Sequence, residues 1–368
     1  MQLELIQEGF VSRRQPDEVR PVAVGPRAVV TREDEVICSY MTQSALGVND
    51  FVPMQARSVD HGASWHDEGP IWPELVTTQS VFGSVSRSAA GTLFLYGAAC
   101  PIDRPGEMFW SEETQGLKQN GLFWSLSQDC GKSWTDPCAI ALPTPGAAEA
   151  PGPLCVTRDG RWVACYAPYR TFDTELAVDR GQVVCVFSDD EGRTWRHSSM
   201  HRFVEQDSGG AEAWVIELAG GRLLGTSWHV DDSNQKEYPN AWALSLDHGE
   251  TWPATGSTGI LGQSTALAAL PDGSAWFVYN QRRHGEVGVW MAQVHPTATS
   301  FGVLNNQVVW RAKTATQTDS TGDHAGWQDF SFGEPAVTVL PDGSFLVVFW
   351  CMQPDGQGVR YVKLKPEL

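Results

Sequence analysis

The hydrophobic residues of this chain fall in short runs rather than in helical stripes. Segments such as Leu93-Phe-Leu-Tyr96, Trp162-Val-Ala-Cys165 and Phe345-Leu-Val-Val-Phe-Trp350 stand between clusters of Gly, Pro, Asp and Ser. The three-to-four-residue spacing of an amphipathic helix is nearly absent. Apolar and aromatic runs bounded by turn formers predict strands, and their recurrence along the chain predicts an all-β protein.

The punctuation itself repeats. Ser58-Val-Asp-His-Gly-Ala-Ser-Trp65, Ser127-Gln-Asp-Cys-Gly-Lys-Ser-Trp134, Ser188-Asp-Asp-Glu-Gly-Arg-Thr-Trp195 and Ser245-Leu-Asp-His-Gly-Glu-Thr-Trp252 share the pattern S-x-D-x-G-x-[ST]-W. Each copy follows a strand-like run, so it reads as a hairpin tip. The Asp can accept backbone N–H groups, the Gly supplies a positive φ, and the Trp folds back over the strands. Copies 69, 61 and 57 residues apart imply one supersecondary unit repeated around a closed architecture.

A second repeat runs alongside. Glycine turns at Asp159-Gly160, Gly220-Gly221, Asp272-Gly273 and Asp342-Gly343, with Ala90-Gly91 as a weaker copy, each precede an apolar strand. The unit is an innermost strand, a Gly turn, a second strand, a long loop, a third strand, the Asp phrase and a fourth strand. Six such units begin near Val22, Gln79, Ala150, Gly209, Gly262 and Phe330, the last two without the phrase. The expectation is a six-bladed β-propeller forming one domain over 1–368. Either the first dozen residues or Val359–Leu364 should complete the last blade and remove its free edge.

The Asp phrase resembles the Asp-box, or BNR repeat, of the sialidase superfamily of six-bladed propellers. That resemblance implies a glycan substrate at one mouth of the central channel, where the innermost strands begin. Counting nine residues back from each turn Gly gives Phe82, Pro151, Glu212, Ser264 and Glu334 for blades two to six. Blade one is ambiguous between Gly25 and Pro26, with Arg27 beside them. A glutamate within each of two apolar β-runs needs a reason, because an unpaired buried carboxylate is costly. Glu212 and Glu334 are therefore the expected catalytic carboxylates, with Asp50, near the family's acid/base position, as a possible third acid.

Residue by residue, the resemblance matches a sialidase glutamate to Glu212 and one clamp arginine to Arg282, in Asn280-Gln-Arg282-Arg283-His-Gly285. The other clamp positions hold Gly25-Pro26-Arg27 and Trp228, and the tyrosine position holds Glu334. One arginine does not make a three-arginine carboxylate clamp. The expected activity is therefore that of an exo-acting glycoside hydrolase cleaving a terminal sugar with a carboxylate pair, as relatives such as the exo-acting arabinanases do with neutral sugars. Arg27 and Arg282 would tune the carboxylates or bind an acidic sugar. Trp228, His229, Ser264, Tyr238 and Trp327 would contact substrate, with Asp231, Asp232, Asn240, Trp242 and His324 nearby. The rivals are a true sialidase with a rearranged site, a uronate or polysaccharide lyase using His229 or Tyr238, and a non-catalytic glycan-binding propeller.

Composition narrows the partners. The chain has 368 residues, with 16 Trp and 36 Gly, which suits blades packed through aromatics and joined by tight turns. A net charge of −18 argues against nucleic acid or an anionic membrane as partner. No signal-like N-terminus or long apolar span is visible, and the eight Cys show no C-x-x-C spacing. The expectation is a cytoplasmic protein with reduced thiols, acting on a small imported glycan or glycoside. No H-E-x-x-H or tight His cluster is present, so neither a catalytic metal nor a cofactor is expected. Oligomeric state has no signature in the sequence.

Overall fold

A computed structural model describes residues 2–205, 207–231, 236–318 and 326–367. These form six antiparallel blade sheets, each a meander whose first strand faces the first strands of its neighbours, and one small two-stranded hairpin, Trp110–Ser111 with Gly116–Leu117. Blade one, for example, runs Val22–Val30, Val36–Gln43, Val52–Ser58 and His66–Pro70. The fold is the expected six-bladed propeller. Among the described residues the helical segments are two single 3-10 turns, Pro73–Leu75 and Trp327–Asp329.

The second strand of each blade is covered by neighbouring blades on both faces, so continuous apolar runs suit it better than alternation. Val36–Gln43 and Trp162–Tyr169 are buried at every position. Aromatic pairs fill the space between sheets, with Trp124 and Trp162 centred 4.9 Å apart and Trp310 and Phe349 4.5 Å apart. Six of the eight cysteines are buried, Cys138 is exposed, and all are free thiols.

The four Asp phrases are identical hairpin tips. In the second, Asp129 accepts the Ser133 N–H (2.9 Å), the Ser133 hydroxyl (2.6 Å) and the Ser127 hydroxyl (2.8 Å). Asp60, Asp190 and Asp247 repeat the set. The turn needs two successive positive φ values, not one: Cys130 (60°) precedes Gly131 (80°), and His61, Glu191 and His248 stand equivalently. Asp129→Ala should lower stability by about 1 kcal/mol, the net worth of the lost turn bonds, and leave turnover by the folded protein unchanged. Denaturant midpoints and specific activity, measured together, check this.

The ring is closed by both ends of the chain. Leu3–Arg14 is the outermost strand of the last blade and pairs antiparallel with Gly356–Pro366, from Leu3 opposite Pro366 to Arg14 opposite Gln357. Inside it lie Phe345–Gln353 and, at the channel, Phe332–Val339.

Candidate functional site

Three inner strands share one distortion. In blades one, four and six, one extra residue enters the first strand, between Val24 and Arg27, Ala211 and Trp214, and Gly333 and Ala336. A bulge of this kind bends the strand and re-aims a side chain. The bulges put Gly25, Glu212 and Glu334 in the left-handed region, at φ 60°, 49° and 48°. Gly25 is thus the blade-one equivalent of the two glutamates. For a glutamate this backbone costs ~1–3 kcal/mol, strain that proteins concentrate at functional sites.

Two of the three distorted strands offer an N–H to a carboxylate from the preceding blade. The Gly25 N–H donates to Glu334 Oε2 at 2.9 Å. The Glu212 N–H donates to Oε2 of Glu149 at 2.7 Å. Glu149 is therefore a third acid at the channel mouth, at the end of the short strand Ala147–Glu149. Counting from the turn Gly gave Pro151 instead, because the blade-three inner strand breaks and resumes only at Cys155–Val156. The sequence carries the same signal here: Ala148-Glu149-Ala150 is a glutamate in an apolar run, like Glu212 and Glu334.

Two buried guanidiniums stand close to the acids, directed mainly at backbone. Arg27 donates to the carbonyls of Pro26 (2.7 Å), Glu334 (3.1 Å) and Pro151 (3.2 Å), its head 4.9 Å from the Trp214 ring centre. Arg282 donates to the Phe332 carbonyl and, at 2.7 Å, to Gln263 Oε1, and lies 3.7 Å from the Phe330 ring centre.

The electrostatics order the acids. Burial, reinforced by the neighbouring Glu212 charge, raises Glu149 well above the ordinary carboxylate range. Burial, then the charge of Glu334, raises Glu212 to about 7. Burial also raises Glu334, but Arg27, the Gly25 N–H, Arg282 and the Trp350 indole all oppose it. Glu334 is thus the best-supported anion, and Glu212 is poised to hold a proton at neutral pH. Glu212 Oε2 is buried with no hydrogen-bond partner among the described residues, as a group kept for a substrate would be.

The three glutamates open into a cavity of about 560 Å³ whose wall includes Trp228, Trp327, Phe330 and Trp350. On the same inner strands, beyond the glutamates, a chamber of about 330 Å³ is lined by Arg27, Trp214 and the Ala336–Val339 segment. Arg27 therefore lies beneath the acid cluster, toward the opposite end of the channel.

Of the candidate site residues named from sequence, Glu212, Glu334, Arg282, Trp228, Asp231 and Trp327 line the larger cavity, Asp231 adding a further carboxylate to its wall. Asp50 is not on its wall: it is tied to Arg20 at 3.0 Å and to the Ser44 N–H, as a loop staple. His229 and Tyr238 are not on it either. Successive strand residues face opposite ways, so Trp228 faces the cavity while His229 turns away. His229 stacks on Tyr238, 4.2 Å between centres, and its Nε2 lies 2.9 Å from Ser208 Oγ. Ser264 is buried behind Glu212, whose side chain it hydrogen-bonds. Asn240 and Trp242 are buried structural residues, and Asp232 and His324 lie outside the described residues. Among the described residues, no group of three or more His, Cys, Asp or Glu is arranged to hold a metal.

A family model described as a BNR repeat-like domain matches residues 85–345. Several solved structures are similar over nearly the whole chain. A Dyadobacter fermentans protein of unknown function superposes with a TM-score of 0.76 at 18% identity, covering 99% of each chain. The Streptococcus pneumoniae NanB sialidase gives 0.64 at 14% identity, over 97% of this chain and 70% of that one. A Penicillium chrysogenum alpha-L-arabinanase, complexed with arabinobiose, gives 0.61 at 13% identity and 98% of both chains. At these identities the likeness is one of fold.

Proposed function

The chain belongs to the BNR repeat-like domain family, and on that scaffold we propose a glycoside hydrolase that removes a terminal neutral sugar. The observation that carries this reading is the glutamate cluster at the cavity, in which Glu212 holds its proton near pH 7 beside a better-supported anion, Glu334. Paired carboxyl groups of unequal acidity are what glycosidic cleavage uses. Glu212 would protonate the departing oxygen. Glu334 would stabilise the oxocarbenium-like transition state, as the nucleophile or as the base for a water. Glu149, neutral, would hold Glu212 through its backbone N–H.

A neutral sugar is favoured because the nearby cations are already matched. Arg27 and Arg282 are aimed at carbonyls and Gln263, Arg283 is paired with Glu237 at 2.5 Å, Lys118 is paired with Asp103 at 2.8 Å, and Arg180 lies over the Tyr169 ring, 4.2 Å from its centre. Among the described residues, no fork of guanidinium groups stands ready for a sialic acid carboxylate. The substrates named for the sialidase and the arabinanase span both possibilities, and this charge pattern supports the second kind.

The test is a screen of aryl glycosides of pentoses, hexoses, uronic acids and sialic acid, with proton NMR of the first-formed anomer of any sugar released. Release of a neutral sugar, with a single anomer first, is the expected outcome. Turnover of sialosides alone, or of none of the panel, would remove the reading. An absorbing unsaturated product would indicate elimination instead.

A further inference from the structure

One wall of the cavity is a continuous arc of aromatic rings that the proposed chemistry does not use. Phe82 meets Phe51 edge-on at 5.5 Å, Phe51 meets Phe109 at 5.2 Å, and Phe109 meets Trp327 at 5.3 Å. Trp327 meets Trp110 at 6.4 Å, and Trp110 meets Tyr169 at 6.3 Å. All six line the cavity. They come from separate places in the chain: the loop before Val52–Ser58, the inner strand Gln79–Arg87, the small hairpin of Trp110–Ser111 and Gly116–Leu117, the strand Trp162–Tyr169, and the 3-10 turn Trp327–Asp329. Convergence of distant segments on one surface is not the by-product of a single blade's packing.

Except for Tyr169, these rings remain only part-buried. A contiguous apolar surface left open to water marks a binding site. What it binds follows from the polar groups between the rings. Asn49 donates to Pro101 O and Glu107 and accepts from Cys100, so both ends of its amide are used. Asn120 is paired both ways with the Ala148 backbone, at 2.9 and 2.7 Å. Lys118 is held by Pro101 O, Asp103 and Glu107. Sugar hydroxyls need partners as they leave water, and these three side chains are engaged with the protein itself, while Gln115 on the Trp110 hairpin is bonded to Glu112. Gln43 Oε1 remains on this wall as a buried acceptor with no partner among the described residues, enough for one hydroxyl, so a second sugar would stack here with most of its hydroxyls unmatched.

We propose that this arc seats the leaving group, and that the leaving group is a flat apolar aglycone, an aryl or fused-ring alcohol, in contact with Phe109, Trp110 and Trp327. This rests on the reading that Glu212 and Glu334 cleave a glycosidic bond. The substrate class is then a glycoside of a hydrophobic alcohol, its sugar against the glutamates and its aglycone on the arc. An apolar leaving group also explains why the acid must be supplied by the protein: an alkoxide or phenoxide released against aromatic rings has no water to protonate it.

The probe is 2-naphthol, titrated by calorimetry against a disaccharide of neutral sugars, in the unmodified protein and in Trp110→Ala and Trp327→Leu. Naphthol should bind with a negative heat-capacity change. Each substitution should weaken it by about tenfold or more, the effect of losing one buried ring contact. Denaturant midpoints close to that of the parent establish that both variants are folded. In turnover, Trp110→Ala should raise KM for a naphthyl glycoside about tenfold more than for the fluoride of the same sugar. Naphthol binding that ignores both substitutions, or a disaccharide that binds more tightly than naphthol, overturns the proposal. Ring-dependent naphthol binding with no hydrolysis of any naphthyl glycoside leaves the arc standing and overturns the hydrolytic reading alone.

Discussion

Replacing Glu334 by Gln should reduce turnover of any cleavable glycoside by roughly 10²- to 10⁴-fold and shift what activity remains toward lower pH. The shift follows from the charge Glu334 exerts on its neighbour. Glu212 stands at about 7 because of burial and then the Glu334 anion. Removing that anion lowers the Glu212 pKa, so its proton is lost at a lower pH. A general acid works only while protonated, so the basic limb of the kcat/KM profile should lie near pH 7 in the parent and move acidward in the variant. Glu212→Gln should lose a comparable factor by a different route, abolishing that limb altogether. Activated aryl glycosides, whose leaving groups need no proton, should restore much of the Glu212→Gln rate and none of the Glu334→Gln rate. Glu149→Gln keeps a neutral acceptor for the Glu212 N–H and should change kcat by less than about tenfold. A Glu334→Gln enzyme with an unmoved profile would separate the two residues and end their assignment as a pair.

The largest stability change should come from Arg27→Met, which removes the cation at the centre of the ring. Three carbonyls, of Pro26, Pro151 and Glu334, lose their donor, and Glu334 loses the positive charge that most opposes its burial. Losing one partner of a buried ionic group costs about 3–5 kcal/mol. The loss should depend on pH with a definite sign. Arg27 opposes the upward pull of burial on Glu334, so without it the Glu334 pKa rises further above its unfolded value, near 4.3. A carboxyl whose folded pKa is raised stabilises the fold below the unfolded pKa and loses that contribution as pH rises through the folded value. The deficit of Arg27→Met should therefore be smaller at pH 4 than at pH 8, with the unpaired carbonyls as the pH-independent remainder. Urea denaturation at the two pH values checks both parts, and an equal deficit at both would place Arg27 outside the electrostatics of the cluster.

The architecture could be read from sequence because each blade restates it. The Asp phrase needs the same Ser, Asp, Gly and Trp wherever it occurs, so its spacing reports the repeat directly. The carboxylates could be located only where the inner strand runs unbroken to its turn Gly. That held for Glu212 and Glu334. It failed in blade three, where Pro151-Gly152-Pro153 interrupts the strand and hides Glu149 two residues upstream of the count. The count also says nothing about which face a side chain takes, so it could not separate Trp228 from His229. Asp50 was located by a family offset across a loop, and the loop folds it onto Arg20. The aromatic arc has no periodicity at all, because half of its rings arrive on loops and turns whose paths are set only once six blades have closed.

That closure has a consequence for how the molecule is made. Leu3–Arg14 leaves the ribosome long before its partner, Gly356–Pro366. Until that partner is made, the earlier strand must wait with its backbone unpaired, and the blade that carries Glu334 lacks its two outer strands. Contacts between residues so far apart in sequence are slow to form. The acid cluster spans blades three, four and six, with blade one donating the Gly25 N–H. The acid cluster is thus complete only once the ring closes, and a chain clipped ahead of Gly356–Pro366 would hold most of the blades without the closed ring that frames it.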